Sequence, residues 1–363
     1  MIKDNSTKLF SISGFTHITK IHDGNFAAFT MNGIIKIFSG VKPFKCIKEK
    51  KISKNNEIFS LKEVNKNPSK IYLILYEKNI YIYSFDNKYQ KCFLVMNIPN
   101  NNYIGALIQL QSKNIIYWDK DRKIKFIKYV NKNKILFDVK INEPKIIINN
   151  KSIKNNSNFI ISFLEYKENH IITTSTNKHP LGENTIKFYK IDSQNNNIKL
   201  VNFQNFEGFS CAIFENNICK LDYQNTICIA LGQYIRYNNV YNNGGILLID
   251  WEYMQISTII ELNDCVNCLF NFSLLDNLEM EYEYLVVNQS KISSKKEGNI
   301  RFLNFYVFEP KYKYEPLLIN NIKIETKSTL DVIDCFLLES SGNSKNLLLF
   351  QTDQISIYSI NYK

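Results

Sequence analysis

The sequence predicts an all-β protein in which seven small antiparallel sheets of four strands close into a ring. Three observations lead to this prediction. A strand pattern recurs seven times along the 363 residues, further strands flank each recurrence, and an N-terminal strand supplies what the last repeat lacks. Ile, Val, Tyr, Phe and Thr fill the periodic positions while alanine is scarce, which favours strands over helices.

The recurring segment is a polar residue or glycine, then isoleucine, any residue, and another apolar residue. Apolar side chains at every second position are typical of a strand with one face more deeply buried. Successive isoleucines lie 45, 44, 62, 60, 54 and 55 residues apart, which fits a four-stranded repeat of ~40–45 residues with some loops extended. The seven isoleucines are Ile35, Ile80, Ile124, Ile186, Ile246, Ile300 and Ile355.

Each repeat has four candidate strands, which we call a, b, c and d, with the isoleucine in strand c. In the first repeat these are THITKI, NFAAFT, IIKIFSG and FKCIKEK. Strand b is the most continuously apolar, whereas strand d is usually more polar, as expected for an outer strand that borders solvent. The same order is found in the other repeats, except that the seventh has no strand d.

The chain ends support closure of the ring. The seventh repeat finishes at ISIYSINYK, and the first repeat has one strand too many in front, TKLFSIS at Thr7–Ser13. Pairing of this strand with the seventh repeat would remove sheet edges that otherwise invite aggregation. We therefore predict one domain over residues 1–363, with residues 7–13 as the closing strand.

With this pattern the chain resembles the WD-repeat β-propellers over residues 7–363, and the resemblance implies a seven-bladed β-propeller in which each repeat is a blade. The family's Gly-His pair is absent from every repeat, and its Trp-Asp pair is absent in register. The sequence YWD at Tyr117–Asp119 falls on strand b, and the family's turn aspartate is met by Asp121 alone. The chain thus resembles the family in its strand pattern and diverges from it in the signature residues.

Composition indicates a cytoplasmic or nuclear protein that is not secreted. The N-terminus is polar and charged, unlike a signal peptide, and no apolar run approaches the ~20 residues that span a membrane. Most of the eight cysteines lie inside apolar runs, where a thiol acts as a small buried hydrophobe, so we expect no disulfides.

The formal net charge of +11 suggests an acidic partner, but only three of the basic residues are arginines. Because proteins that recognise base edges or bind phosphates favour arginine, the composition argues against nucleic acid as the partner. No Arg-Arg pair of the phosphoinositide-binding kind occurs, and the basic run Lys45–Lys54 is predicted to be the exposed outer strand of the first blade. A phosphoinositide- or nucleic-acid-binding propeller remains the first alternative, and contact with a membrane surface has no motif to support it.

No catalytic residue, metal site or cofactor is predicted. The four histidines lie in no catalytic motif, and Glu281 and Glu283 are interpreted as a solvated strand face. Cys265 and Cys268 have CxxC spacing but fall on a predicted strand, where positions i and i+3 point to opposite faces, so they are interpreted as packing residues. An enzyme with carboxylates in the central channel remains the second alternative.

The preferred prediction is a non-catalytic scaffold or complex subunit that binds other proteins through loops on one face. The b–c connections of repeats four, five and six are long, namely TNKHPLGEN, QYIRYNNVYNNG and NQSKISSKKEGN. Loops on a rigid framework commonly carry recognition, and Tyr and Arg are frequent interface anchors. The predicted partner-binding residues are Lys178, His179, Tyr234, Arg236, Tyr237, Tyr241, Lys291, Lys295 and Lys296.

Overall fold

A computed structural model gives the fold of most of the chain. It describes residues 7–52, 60–67, 70–76, 79–98, 104–119, 124–128, 138–142, 145–148, 151–153, 159–176, 184–192, 197–206, 209–212, 216–221, 225–236, 239–241, 243–275, 281–291, 300–307, 317–324, 332–338, 344–351 and 354–361.

All regular secondary structure in these ranges is β-strand. In chain order the strands are β1 (Thr7–Ser13), β2 (Phe15–Lys20), β3 (Phe26–Thr30), β4 (Ile34–Phe38), β5 (Cys46–Lys51), β6 (Ser60–Asn67), β7 (Lys70–Tyr76), β8 (Ile80–Asp86), β9 (Cys92–Ile98), β10 (Ile104–Gln109), β11 (Ile115–Asp119), β12 (Ile124–Lys128), β13 (Asp138–Asn142), β14 (Lys145–Ile148), β15 (Lys151–Ile153), β16 (Phe159–Lys167), β17 (His170–Thr176), β18 (Asn184–Asp192), β19 (Asn197–Phe206), β20 (Phe209–Cys211), β21 (Ile218–Leu221), β22 (Thr226–Arg236), β23 (Asn239–Tyr241), β24 (Gly244–Asp250), β25 (Gln255–Leu262), β26 (Cys265–Leu275), β27 (Glu281–Lys291), β28 (Ile300–Val307), β29 (Leu317–Ile324), β30 (Val332–Leu338), β31 (Ser344–Gln351) and β32 (Gln354–Asn361).

These strands form seven sheets, and the predicted fold class is confirmed: the protein is an all-β, seven-bladed β-propeller. The chain divides into two compact units, residues 1–104 with 332–363, and residues 105–331. The first unit holds three four-stranded blades, with strand orders β1-β32-β31-β30, β2-β3-β4-β5 and β6-β7-β8-β9, which are blades seven, one and two.

The second unit holds blades three to six. Blades three and six are four-stranded, with orders β10-β11-β12-β13 and β26-β27-β28-β29. Blade four has six strands in the order β15-β14-β19-β18-β17-β16. Blade five also has six, because β21 and β23 pair with β22 beside the path β20-β22-β24-β25.

Both faces of β3, the second strand of blade one, are buried against neighbouring blades. In β3 all five residues are buried, and alternate side chains belong to different cores. Ala27 and Phe29 pack with residues of blade two, whereas Phe26 and Ala28 pack with residues of blade seven. Because side chains alternate across a strand, a nearly continuous apolar sequence is what two-sided burial requires.

The closing strand lies where the sequence places it. Strand β1 pairs antiparallel with β32, from Thr7 opposite Ser359 to Ser13 opposite Gln354. The pairing has a register shift opposite Ile357 and Tyr358, which are two and three residues after the repeat isoleucine Ile355. The N-terminal strand therefore acts as strand d of blade seven.

The same irregularity marks the other outer strands. Every c–d pair in the described parts of blades one to six contains a register shift, and in blades one, two, four and five it falls two to three residues after the repeat isoleucine. An extra residue in one strand of a pair bends that strand and increases its twist. The closing strand thus has the same irregularity as strand d of the other blades.

Four short strands were not predicted. Strands β14 and β15 form a hairpin on the outer edge of blade four, where β14 runs parallel to the start of β19. Strands β20 and β23 lengthen blade five by pairing with the C-terminal part of β22. The expectation that the fifth b–c insert is a loop was wrong in part, because Tyr234–Arg236 pair with Asn239–Tyr241 as a strand extension.

Two predictions about single residues were also wrong. Glu283 does not belong to a solvated face, since only 9% of it is exposed on β27, the second strand of blade six. The cysteines of the CxxC sequence do not point to opposite faces. A bulge between Val266 and Cys268 places Cys265 opposite Ser290 and Cys268 opposite Asn288, so both cysteines lie on one face of the sheet.

Removal of the closing strand should destabilise the fold. Deleting residues 1–13 leaves β32 as an exposed edge and removes the side chains of Leu9, Phe10 and Ile12 from the core between blades seven and one. We expect the melting temperature to fall by about 5–10 °C and aggregation to increase. Differential scanning calorimetry and light scattering measure both effects, and deletion of residues 1–6 alone is the control. Equal melting temperatures for the two deletions would contradict the role of β1.

Candidate interaction surface

The nine residues predicted to bind partners are only partly within the described chain. Tyr234 and Arg236 lie at the end of β22, Tyr241 lies on β23 directly opposite Tyr234, and Lys291 ends β27 opposite Ile300. The structure therefore brings two of the predicted tyrosines together on the extension of blade five. The other predicted residues lie outside the described ranges: Lys178, His179, Tyr237, Lys295 and Lys296.

A carboxylate links blade one to blade two. Glu63 on β6 accepts a hydrogen bond from the backbone N–H of His22 (2.9 Å) and contacts the His22 Nδ1 atom at 2.5 Å. Its own N–H donates to the Thr19 hydroxyl at 3.3 Å. The Glu63 side chain is 4% exposed, so these contacts satisfy a buried charge at the a–b turn of blade one.

A second set of bonds at the same turn involves the c–d turn of blade two. The Tyr89 hydroxyl donates to Asp23, and Asn25 Nδ2 donates to that hydroxyl at 3.2 Å. Burial, reinforced by the Asp23 hydrogen bond, raises the pKa of Tyr89, so the phenol stays protonated and remains a donor. Asn25 also accepts from the Gly40 N–H at 3.1 Å.

Blades three and four repeat the carboxylate link. Glu165 on β16 accepts from the N–H of Gln111 (2.5 Å) in the a–b turn of blade three, and from the N–H of Asn169 (3.0 Å) in the turn of its own blade. Burial raises the pKa of Glu165, while the two N–H donors lower it in part. The equivalent position thus holds a glutamate in blades two and four.

Blades four and five share a buried hydroxyl–amide network. The Ser162 hydroxyl lies 2.8 Å from that of Thr174 and donates to Asn217 Oδ1 at 2.6 Å. Asn217 Nδ2 donates to the carbonyl of Ala212 at 2.7 Å. Because every member has a partner and all are buried, the network fixes how the two blades pack.

The histidines in the described chain also make local contacts. His17 Nδ1 lies 3.1 Å from the Thr16 hydroxyl, and His170 Nδ1 lies 2.9 Å from the carbonyl of Glu168. With His22 bound to Glu63, the three are occupied in contacts that hold turns and strands. Among the residues that the structure describes, no group of three or more His, Cys, Asp or Glu side chains could hold a metal ion.

The outer strand of blade two carries an exposed apolar run. Three consecutive residues of β9 are open to solvent, with Phe93 61%, Leu94 51% and Val95 37% exposed. A register shift between Leu94 and Met96 leaves Val95 without an opposite residue on β8. No strand in the described part of the chain pairs with the other side of β9. We call Cys92–Asn97 the β9 edge.

Lysines of blade one adjoin the β9 edge. Lys48 and Lys50 of β5 lie opposite Ile37 and Ile35, which face blade two. Lys48 Nζ donates to the carbonyl of Gln90 at 3.0 Å. Burial raises the pKa of the Cys92 thiol, and the nearby charges of Lys50 and Lys48 lower it in part. Lys88 and Lys91, in the turn before β9, are exposed as well.

The β9 edge differs from the other outer strands whose side chains are described. Strand β5 has the sequence CIKEKK and is mostly charged, as predicted for the basic run Lys45–Lys54, which protects an edge from unwanted pairing. Strand β19 also exposes two apolar residues, Val201 and Phe203, but its first residues are covered by β14. The β9 edge is mostly apolar and contains no charged residue. Among the described residues, no strand pairs with its outer side.

Sequence reasoning treated KCFLVM as an ordinary outer strand and missed this surface. A signal was present, since Cys92–Met96 is a run of five apolar residues at a position where other repeats alternate or carry charge. Strand alternation alone gave no reason to single out this strand, because it does not tell which outer strands are left without a further partner.

Comparisons with known proteins identify the fold and no family. No family model matches the chain, and no curated protein matches its sequence. The chain is similar to the crystal structure of the N-terminal domain of Nup159, with a TM-score of 0.53 and 10% identity over 99% of this chain and 98% of that one. At this identity the likeness shows the β-propeller fold alone. No helix in the described chain is long and apolar enough to cross a membrane.

Loss of the Glu165 carboxylate should loosen the link between blades three and four. Glu165→Ala removes the acceptor for the N–H groups of Gln111 and Asn169, and we expect the free energy of unfolding to fall by about 1–2 kcal/mol. Urea denaturation followed by tryptophan fluorescence measures this change. Glu168→Ala is the matched control, since it removes the same charge from an exposed position in the adjacent turn. Equal effects of the two substitutions would show that the hydrogen bonds contribute nothing beyond charge.

Proposed function

We propose that this chain is a non-catalytic subunit that binds other proteins and holds them on a rigid propeller. The observation that carries the proposal is the β9 edge, where three consecutive apolar residues are exposed on a strand without an outer partner in the described chain. Contiguous apolar surface on a soluble framework is characteristic of interaction sites. The likeness to the Nup159 domain supports the propeller framework and contributes nothing to the choice of partner.

The described polar clusters support the non-catalytic part of the proposal. Glu63, Glu165 and Asp23 are each bound to groups of a neighbouring blade or turn. Chemistry on a substrate would need such groups to be within reach of a reacting atom. In these clusters the carboxylates instead stabilise the packing of blades, which is the rigidity that a scaffold requires.

The extension of blade five is a second surface for the same role. It presents Tyr234 and Tyr241 at paired positions of β22 and β23, and Arg236 at the end of the hairpin. A hairpin that continues a blade is held more rigidly than a loop, so anchors placed on it lose less conformational entropy on binding. We propose that this extension and the lysines of the sixth insert contact the partner or a second partner, in the cytoplasm or the nucleus.

A partner complex should depend on the β9 edge. We expect the tagged chain, purified from the cell in which it is expressed naturally, to elute with a protein partner at fixed stoichiometry. The double variant Phe93→Lys/Leu94→Lys should elute alone, because two charges on the apolar run oppose desolvation at an interface. Size-exclusion chromatography with mass measurement reports both results.

The matched control is the double variant Val201→Lys/Phe203→Lys, which adds the same charges at exposed apolar positions of β19. It should retain the complex. A wild-type chain that elutes only as a monomer would contradict the scaffold proposal. Loss of the complex that rises steeply with salt, together with binding of the chain to added nucleic acid or anionic lipid, would favour the lysine-dependent alternative instead.

A further inference from the structure

We propose that the β9 edge takes up an extended segment of a partner protein as an added fifth strand of blade two, and that this segment alternates acidic and apolar residues. The inference rests on the proposed function and specifies the mode and chemistry of binding at that surface. Strand addition uses the backbone for affinity and alternate side chains for specificity.

The backbone of β9 is available for such pairing. The strand is hydrogen-bonded to β8 along one side, from Cys92 opposite Phe85 to Ile98 opposite Ile80. Alternate N–H and C=O groups of an edge strand point away from its sheet and offer a ladder to another chain. The seven residues of β9 provide an edge of ordinary strand length.

The protein already binds a segment in this way within its own chain. In blade four, β14 adds to the outer edge of β19, with Lys145, Ile146 and Ile147 opposite Asn197, Ile198 and Lys199. The outer edge of a blade in this fold therefore accepts an added strand without rearrangement of the four strands inside it. At blade two, the described chain contains no such segment.

The two faces of the β9 edge differ in a way that dictates the sequence of the added strand. Leu94 and Cys92 lie opposite Tyr83 and Phe85, so they face blade one. On that side the added strand would meet the lysines of β5 that face blade two. Side chains of the added strand on this face should therefore be Asp or Glu.

The opposite face of the β9 edge is apolar. Phe93 lies opposite Ser84 and points away from blade one, with most of its ring exposed. Side chains of the added strand on this face should be Val, Ile or Tyr, since aromatic and β-branched residues on neighbouring strands pack well across a ladder. Because a strand has a period of two, the result is an alternating acidic and apolar segment.

A lipid surface or a nucleic acid fits the β9 edge less well. The outward N–H and C=O groups of an edge strand would have no partner in hydrocarbon, which costs several kcal/mol per group. Nucleic-acid grooves combine arginine with aromatic stacking, and the β9 edge and its turn contain lysine as their only basic residue type. An extended acidic peptide supplies backbone partners for the strand edge and carboxylate partners for the lysines.

The probe for the test is a fluorescein-labelled peptide, Glu-Val-Glu-Tyr-Glu-Val-Glu-Ile, titrated into the purified full chain. Two control peptides are a reordered one with all four glutamates first, and one in which proline replaces the central tyrosine. We expect saturable binding of the alternating peptide, at least about tenfold weaker binding of both controls, and slower hydrogen exchange at the amides of Phe93–Asn97 on binding. Anisotropy and mass spectrometry measure these quantities.

Protein variants connect the binding to the β9 edge. Phe93→Ser/Leu94→Ser and, separately, Lys48→Glu/Lys50→Glu should each weaken the alternating peptide about tenfold or more. The matched variants on β19, Val201→Ser/Phe203→Ser and Lys199→Glu, should bind as the wild type does. The thermal unfolding of the serine variants and of Lys199→Glu should match the wild type, because the substituted side chains are exposed, whereas Lys48→Glu/Lys50→Glu also removes the bond from Lys48 to Gln90 and should unfold at a slightly lower temperature.

Three results would overturn the inference. One is no saturable binding of the alternating peptide up to about 1 mM. Another is equal binding of the reordered peptide, which would mean charge attraction without a ladder. The last is recruitment to vesicles of phosphatidylcholine and phosphatidylserine that is lost in Phe93→Ser/Leu94→Ser, which would assign the surface to a membrane. If the peptide fails while the native complex still depends on Phe93 and Leu94, strand addition is wrong and the scaffold function stands.

Discussion

Burial of both faces of the second strand of a blade is the constraint on which this structure depends. A four-stranded blade has two apolar faces, so it is stable only between two neighbours. Strand β3 shows this directly, because its alternate side chains enter two different cores. A row of such blades would leave its terminal faces and edges uncovered, and the addition of β1 to β32 solves the problem at the edge. The order of strands follows from this requirement.

Blades must also be held in register with one another, and here the protein has its own solution. WD-repeat proteins are recognised by Gly-His and Trp-Asp pairs, whereas this chain has no Gly-His pair and its one Trp-Asp pair, Trp118-Asp119, falls on strand b. At two blade boundaries a glutamate from the first strand of one blade binds the a–b turn of the preceding one, as Glu63 does for His22 and Glu165 does for Gln111. These glutamates join neighbouring blades at their a–b turns without the signature residues.

Much of the fold was predictable because period-two alternation is local and recurs seven times. The unpredicted elements are those that depend on partners distant in the chain: β14 joins β19 in parallel, and β23 lengthens β22. The alternation of apolar residues also does not predict bulges, which is why the faces of Cys265 and Cys268 were predicted wrongly. Of the interaction surface, sequence reasoning proposed long inserts and missed the β9 edge, since strand alternation does not tell which outer strands another strand covers.

The pairing of β1 with β32 has a consequence for the order of events during translation. Strand β1 leaves the ribosome first, yet its partner at Gln354–Asn361 is made more than 340 residues later. Contacts so distant in sequence are slow to form, and at elongation rates of about 5–20 residues per second β1 stays unpaired for roughly 20 seconds or more. A nascent chain of this protein therefore carries an unpaired strand ahead of its first repeat until the final repeat is complete.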